Sequence, residues 1–475
     1  MDGRCGPRAA PPLPVRFDAN GDRRGLVGAR EYGVEVAAVE VVSRERVGSG
    51  TPVERLVCHP RLPLVACLDS ARPAVHLWDC GGRRLHALAT VGAGSTAYDD
   101  ASYRDRMRRT PAVAWHPDQP LLVVAGEGGV ARWTPTGLSG VEGIPPTASS
   151  YRSLAFSPDG RKLWASPSSG DGHDAWQHSD ILDLTSGTID VGPGWDTGVA
   201  THPAGGLVAT LISNQGATIG LFARVDDKSA PAVMRVLRRA LILDADGYET
   251  PVFSVDGRHL AIRGNAYENT LEVFGFPSLQ RVLATTLGEP TPGYPYPQEW
   301  LEQMRAWSRH NIAFGVQPGV LWIGTPTGSL VEVDLDGQRA VEHDVLTGAP
   351  VTGLGTTPTG ELVVASGEGE LVLVSVLSGS AKTRATNDNA ARAALTAFLD
   401  STCEVPDNGD LEAHLVMTDG ARTWESDDLA TVTTAAPTDP TWLQLQAAIN
   451  TRGQDEEPRE PATGSDSTSN PGRTS

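Results

Sequence analysis

Cysteine is scarce in this sequence. The 475 residues include five cysteines, an odd number, and no two of them form a Cys-x-x-Cys pair. We therefore expect no disulfide framework, and the composition suits a reducing compartment. Residues 1–17 also lack an apolar core of signal-peptide length. Together these features predict a cytoplasmic protein.

Long apolar runs and excess positive charge are missing as well. No stretch approaches the roughly 18 apolar residues that a membrane-spanning helix requires. Lys and Arg number 39 against 58 Asp and Glu, which gives a formal net charge of −19. This sign repels phosphate backbones, so we expect neither a nucleic acid nor a membrane as a partner. One short basic run is interpreted as a solvated helix face; it consists of Arg104, Arg106, Arg108 and Arg109.

The motifs that carry common enzyme chemistry are absent too. The sequence has no Gly-x-Ser-x-Gly elbow, no His-Glu-x-x-His pair, no spaced Cys/His zinc set and no glycine-rich phosphate loop. We therefore predict no catalytic residue, no resident metal and no cofactor. Lysine is nearly absent beside abundant Arg and Ala, which indicates a GC-rich genome and a bacterial origin.

Glycine and proline, in contrast, are abundant, with 52 and 35 residues, and they mark a repeat. Its clearest copy is SLAFSPDGRKLWAS at residues 153–166, in which Leu154 and Phe156 alternate with small or polar residues. Such alternation is typical of a strand with one buried face. The turn Ser157-Pro158-Asp159-Gly160 follows, and a second strand begins near Leu163.

The same phrase occurs at six other places along the chain. These copies start at Val53, Pro111, Gly198, Thr250, Asn311 and Val351. The shorter intervals between copies match the roughly 40 to 45 residues of a four-stranded propeller blade. The longer intervals contain two insertions of helical character, near residues 96–110 and 296–310.

Several of these copies carry residues of a known repeat. They are His59-Pro60 with Leu77-Trp78-Asp79, Trp115-His116-Pro117 with Arg132-Trp133, and Phe156-Ser157-Pro158-Asp159-Gly160. Seven copies in register resemble the WD-repeat family of β-propellers over about residues 34–385. Only one copy ends in Trp-Asp, and the family's Gly-His start and tight-turn Asp are mostly missing. The family's Asp-His-Ser-Trp network is therefore not expected to be complete.

The resemblance implies an all-β fold, a seven-bladed β-propeller, with a small α/β C-terminal appendage. Stacking seven sheets around an axis buries their faces and leaves only short edges. We expect residues 33–47 to supply the outer strand of the last blade and so close the ring. The resulting division of the chain is a loose segment 1–32, a propeller 33–388, an appendage 389–451 and a disordered tail 452–475. Within the appendage we predict a helix at 390–402, a strand at 411–419 and a helix at 441–450.

By the same resemblance, the expected function is that of a scaffold or adaptor that binds a protein partner and is itself monomeric. Two alternatives stay open, since propellers host several functions. One is a metal-dependent, lactonase-like hydrolase with its site in the central channel. The other is a sensor that binds a small ligand on one face. Acidic or His side chains meeting in the channel would distinguish the enzyme.

The second insertion holds the candidate partner-binding residues. Trp300, Met304 and Trp307 have the i, i+4, i+7 spacing of one helix face. Aromatic and Met side chains are enriched at protein interfaces. The alternative is that this face packs onto the rim of the propeller, because exposed tryptophans are costly.

Histidines and cysteines complete the candidates. His59, His116 and His202 each precede a turn proline, and we expect each to hydrogen-bond within its own blade rather than share a metal. Residues 170–180 gather several Asp and His side chains, interpreted as a solvated hairpin tip rather than a cation site. Cys58 and Cys67 fall on neighbouring strands and are expected to be inert buried thiols.

Overall fold

The structure is a computed structural model. It describes residues 38–48, 50–99, 101–127, 129–141, 151–167, 178–195, 197–214, 216–226, 233–377, 381–406 and 411–456. The expectations for residues 1–32, for residues 170–177 and for 457–475 of the tail lie outside these ranges.

The described strands form seven sheets in a seven-bladed β-propeller, as the repeat predicted, and the consecutive strands within each blade are antiparallel. The first described strand is β1 (Ala38–Arg46). Blade 1 contains β2 (Val53–Cys58), β3 (Leu64–Asp69), β4 (Val75–Asp79) and β5 (His86–Val91), with a short 3-10 helix at Gly81–Arg83. Blade 2 contains β6 (Ala112–Trp115), β7 (Leu122–Gly126), β8 (Gly129–Thr134) and β9 (Gly137–Gly140). Blade 3 contains β10 (Ser153–Phe156), β11 (Lys162–Ser166), β12 (His178–Asp183) and β13 (Ile189–Pro193).

The remaining blades follow the same order from the innermost strand outward. Blade 4 contains β14 (Ala200–Thr201), β15 (Leu207–Asn214), β16 (Ala217–Asp226) and β17 (Val233–Asp244). Blade 5 contains β18 (Val252–Phe253), β19 (His259–Arg263), β20 (Thr270–Gly275) and β21 (Arg281–Thr286). Blade 6 contains β22 (Ile312–Phe314), β23 (Val320–Gly324), β24 (Ser329–Asp334) and β25 (Arg339–Asp344). Blade 7 contains β26 (Val351–Thr356), β27 (Leu362–Ser366) and β28 (Glu370–Leu377).

The fourth strand of blade 7 comes from the other end of the chain. Strand β1 pairs antiparallel with β28, from Ala38 opposite Leu377 to Arg46 opposite Glu370. The sheet order is β1-β28-β27-β26, so β1 is the outermost strand. The ring is therefore closed by hydrogen bonds between distant parts of the sequence, as predicted from the unmatched strand before the first repeat.

Each pair of neighbouring blades shares a hydrophobic core. Between blades 5 and 6, for example, Leu271 and Val273 pack with Leu321 and Ile323. Equivalent clusters occur at the other six junctions of the ring. Because both faces of a blade are covered, the second strands are largely buried, and β27 is buried along its whole length.

The register of the strands defines two faces of the ring. In blade 1, Val53 at the start of the innermost strand pairs with Asp69 at the end of the second. Val75 at the start of the third strand pairs with Val91 at the end of the fourth. The loops between successive blades and those between second and third strands therefore share one face, which we call the entry face. The turns between first and second strands lie on the opposite, turn face.

Both insertions belong to loops between blades, and each contains a helix, as predicted. Helix α1 (Tyr103–Arg109) begins after Ser102, whose hydroxyl accepts a hydrogen bond from the Asp105 amide at 3.2 Å. Helix α2 (Gln298–Ala306) begins after Pro297. Both helices therefore lie on the entry face.

The C-terminal segment begins with a long helix on the turn face. Helix α3 (Ala381–Asp400) starts before the predicted residue 390. The Asn387 amide donates to the Val316 carbonyl of blade 6 at 3.0 Å. Further along, Phe398 is fully buried among residues of blades 4 and 5. We call α3 the strap helix, because it crosses the turn face from blade 6 to blade 4.

The rest of the appendage widens blade 4. Its elements are α4 (Leu411–His414), β29 (Val416–Thr418), β30 (Thr423–Glu425), α5 (Ser426–Thr431) and α6 (Thr441–Glu456). Strand β29 pairs in parallel with β17, which gives blade 4 six strands. The predicted strand 411–419 is thus a helical turn followed by a shorter strand. Among the described residues, no helix is long and apolar enough to cross a bilayer.

Candidate functional site

The predicted partner-binding helix face packs against the propeller. Trp300 and Trp307 are only 7% and 8% exposed. The Trp300 indole N–H donates to the carbonyls of Glu289 and Pro290, each at 3.1 Å. Trp307 joins the core between blades 5 and 6, and the Asn269 amide donates to the Met304 carbonyl at 3.0 Å. The structure thus shows the packing alternative, and a partner-binding role for these three residues stays a prediction that their positions do not support.

A different set of aromatic residues leads from the core of the same insertion to its exposed surface. The Tyr296 ring stacks on Trp300 with centroids 5.1 Å apart, and Tyr294 meets Tyr296 edge-on at 5.9 Å. Tyr294 is 88% exposed. We call Tyr294 and Tyr296 the tyrosine ladder, with buried Trp300 as its base. Sequence analysis missed this ladder, although the run Pro-Gly-Tyr-Pro-Tyr-Pro at 292–297 could have indicated it.

A neighbouring loop of blade 5 adds a further tyrosine. Tyr267 is 56% exposed. The adjacent Glu268 accepts hydrogen bonds from the Thr291 amide and the Thr286 hydroxyl, both at 3.1 Å. The loop and the insertion are therefore held together, and their exposed tyrosines belong to one part of the entry face.

Charged side chains gather where the central channel opens onto this face. The cluster, which we call the channel mouth, consists of Glu54, Arg55, Arg106, Glu249, Arg309 and His310. Arg309 forms an ion pair with Glu249 at 2.6 Å, and the His310 Nδ1 lies 3.9 Å from the same carboxylate. On the opposite side of the ring, Arg106 of α1 pairs with Glu54 at 3.0 Å. Both insertions therefore supply an arginine to the channel mouth.

Arg55 links the two sides electrostatically. It lies on β2 of blade 1. Burial lowers the pKa of Arg55, and the charges of Glu249 and Glu54 act in the opposite direction. Glu249 lies just before β18, the first strand of blade 5. Blades 6 and 7 separate blade 5 from blade 1 along the ring. An interaction between Arg55 and Glu249 therefore runs across the opening. Burial also lowers the pKa of His310, which favours its neutral form.

The basic run of α1 is not a fully solvated helix face, because Arg106 and Arg109 contact the propeller. Arg106 and Arg109 each place a guanidinium over the Tyr98 ring, at 5.3 Å and 5.2 Å. Arg109 also donates to the Thr96 carbonyl at 2.7 Å and pairs with Glu127. These contacts fix α1 to the propeller, while the side chain of Arg108 is exposed.

The turn-face histidines connect neighbouring blades. The His59 Nδ1 accepts hydrogen bonds from the Arg61 and Leu62 amides at 3.0 Å, within its own turn. The opposite nitrogen, Nε2, lies 2.8 Å from the Gln119 carbonyl of blade 2. The expectation of bonding within one blade is therefore correct for Nδ1 and wrong for Nε2, because the turn of the next blade lies within reach of the ring.

His202 repeats the same pattern between blades 4 and 5. Its Nδ1 accepts from the Ala204 amide at 3.2 Å, and its Nε2 lies 3.3 Å from the Gly257 carbonyl. A Cβ on Gly257 would come within 2.5 Å of that nitrogen, and Gly257 has φ +65°. Glycine is thus required at this turn both by its backbone and by the imidazole. His116 contacts Gly160 of blade 3 in the same way.

These histidines do not converge on a common centre. Within the described ranges, no three His, Cys, Asp or Glu side chains are grouped to hold a metal ion. Most of the acidic hairpin at 170–180 lies outside those ranges. Of its last residues, Asp180 is buried and accepts a hydrogen bond from the Tyr151 hydroxyl at 2.6 Å.

Three cysteines of blade 1 occupy its core. Cys67 and Cys80 are buried in the cluster between blades 7 and 1, and Cys58 packs against it. Burial raises the pKa of Cys58 to about 12 and raises that of the other two as well. Such thiols are poor nucleophiles, in agreement with the predicted inert role.

The hydrogen-bond network of WD repeats is incomplete in the blade that carries Trp-Asp. Asp69 accepts from the Thr51 hydroxyl at 3.2 Å and lies 3.2 Å from the His76 Nε2. The Trp78 indole N–H, however, has no hydrogen-bond partner in the described part of the chain. Models of known protein families give no match to this sequence, and no curated protein matches it.

Proposed function

We propose that this propeller is a protein-interaction scaffold of WD-repeat type whose contact surface is the entry face. The observation that carries the proposal is the tyrosine ladder, whose outer residue Tyr294 is 88% exposed on an insertion packed against the propeller. Tyrosine supplies a large amphipathic contact area at low cost in side-chain entropy. Loops that a rigid scaffold positions in this way commonly carry binding function.

The position of the strap helix supports the choice of face. It covers the turns of blades 4 to 6, where Gly257 would meet the Ala391 Cα if it carried a Cβ. A partner approaching the turns of these three blades would meet this helix first. On the entry face, Tyr294 and Tyr267 are exposed beside the channel mouth.

The proposal places the protein in the cytoplasm of a bacterium, as a monomer that binds protein and performs no catalysis. The cysteines within the described ranges are all unpaired thiols, which suits a reducing compartment. The net charge of −19 disfavours a nucleic-acid partner.

A quantitative pull-down from native cells tests the contact surface. The bait is the full chain, the double variant Tyr294→Ala with Tyr267→Ala, or the control Val191→Ala. Val191 is 73% exposed on the outer strand of blade 3, away from the entry face. We expect a protein recovered with the wild type and the control to be lost with the double variant. All three baits should melt at the same temperature, because exposed side chains contribute little to stability.

The opposite result is equally specific. Recovery of the same proteins by the double variant and the wild type would exclude the tyrosines as the contact surface. One stoichiometric metal ion per purified chain would instead favour the hydrolase alternative.

A further inference from the structure

Of the three arginines of the channel mouth, Arg106 and Arg309 form ion pairs with carboxylates and Arg55 does not. No hydrogen bond or ion pair involves its side chain within the described ranges, although it is partly buried. Its nitrogens are not among the unpartnered atoms that the described residues shield from solvent, so the guanidinium keeps access to the channel. Its position at the opening of the channel makes it available to a ligand.

The carboxylates nearby are already paired. Glu249 is held by Arg309 at 2.6 Å, and Glu54 by Arg106 at 3.0 Å. Each pair uses an arginine that comes from one of the two insertions. The positive charge of Arg55 is therefore left over once the two pairs have formed.

A fourth arginine lies directly behind the mouth. Arg263 is 1% exposed, and its guanidinium donates to the carbonyls of Thr270 and Ser308 and to the side-chain oxygens of Asn269 and Asn311. These acceptors are neutral. Burial, together with the charge of Arg309, lowers the pKa of Arg263 to about 9, still above neutral pH. At the mouth, four arginines thus stand against two glutamates, although the whole chain has a net charge of −19.

We propose that the channel mouth binds a carboxylate, with Arg55 as its anchor. The planar guanidinium offers two parallel N–H donors that match the two oxygens of a carboxylate. The surrounding walls of the channel concentrate the positive potential. This inference rests on the proposed function, since the carboxylate would be an acidic side chain of the bound protein. A free small acid would present the same chemistry.

Calorimetric titration of the full chain tests the site with three probes. They are succinate, the blocked peptide acetyl-Gly-Glu-Gly-amide, and its neutral counterpart with Gln in place of Glu. We expect the Glu peptide to bind and the Gln peptide not to bind. Arg55→Gln should weaken binding by at least about tenfold, as loss of a charged hydrogen-bonding partner does. The control Arg305→Gln, which removes an exposed arginine of α2, should leave the affinity unchanged.

Each outcome decides the matter. Binding of the Glu peptide through Arg55 assigns the carboxylate to a protein partner, and binding of succinate alone assigns it to a free small acid. Binding of no acidic probe, or equal binding by Arg55→Gln, would overturn the inference. Arg55→Gln should melt no lower than the wild type, which excludes a merely structural role.

The inference and the proposed function can fail separately. If the tyrosine variants lose a protein partner while Arg55→Gln binds the probes normally, the scaffold stands without this anchor. If Arg55 binds the probes but no protein depends on the tyrosines, the carboxylate site stands without the scaffold.

Discussion

The contact of His202 with blade 5 should make the propeller sensitive to acid. The imidazole is fully buried, and it packs against Phe253 and Phe276 with ring centroids 5.0 Å and 5.2 Å away. Burial lowers its pKa from 6.5 to about 4, although the Gly257 carbonyl and the charge of Asp256 act in the opposite direction. The folded protein therefore holds this histidine neutral at a pH where the unfolded chain protonates it.

The sign and size of the effect follow from linkage. Because the pKa is lower in the folded state, the contribution is fully present above pH 6.5 and is lost as the pH falls toward 4. A difference of about 2.5 units at about 1.4 kcal/mol each gives a limit of roughly 3 kcal/mol. Between pH 7.5 and pH 5, the free energy of unfolding should fall by about 2 kcal/mol from this residue alone.

Urea denaturation at pH 7.5, 6 and 5 measures this loss against His202→Asn. The Asn carbonyl can still accept from the Ala204 amide, so the turn is retained, but the variant has no titrating ring. The pH dependence should be shallower in the variant by about 2 kcal/mol over this range. The control is His86→Asn, at an exposed position on β5. Equal slopes for wild type and His202→Asn would refute the argument.

Three further predictions concern stability and reactivity. Deletion of residues 1–48 removes β1 from blade 7 and should lower the melting temperature sharply; an unchanged melting temperature would contradict closure by this strand. Trp300→Ala combined with Trp307→Ala should lower the free energy of unfolding by several kcal/mol in urea titration, since large buried truncations cost about 3–5 kcal/mol each. A near-neutral effect would mean that α2 is only loosely attached. The three thiols of blade 1 should react with a thiol reagent only after unfolding, whereas exposed Cys403 should react in the native protein; labelling of Cys58, Cys67 or Cys80 in the native protein would contradict their burial.

The repeat made the ring predictable because each blade uses the same local code. An apolar strand, a turn with proline or glycine and a second apolar strand recur at every blade, and the pattern depends on neighbours in sequence. The closing strand could also be anticipated, since the sequence of residues 33–47 predicts a strand that belongs to none of the seven repeat copies. Local signals of this kind are retained when seven copies pack around one axis.

Contacts between distant segments were not predictable in the same way. Spacing identified one face for Trp300 and Trp307, but it could not say whether that face met solvent or the cores of blades 5 and 6. The sequence predicted hydrogen bonds of the histidines within their own blades. The contact between His202 and Gly257, however, depends on how two neighbouring blades are placed. The channel mouth could not be predicted either, because Arg55 of blade 1 and Glu249 of blade 5 come near each other only in the closed ring.

The C-terminal segment explains why blade 4 differs from the others. Strands β16 and β17 have 10 and 12 residues, and they extend beyond the part of the sheet that blade 3 covers. On that face, Ala223 and Val225 pack against blade 3, whereas Ile219 and Leu221 pack against Leu415, Met417 and Trp442 of the appendage. The appendage thus substitutes for a neighbouring blade along half of this sheet. Since the strap helix must first cross the turn face to reach blade 4, docking of the appendage also covers the turns of blades 4 to 6.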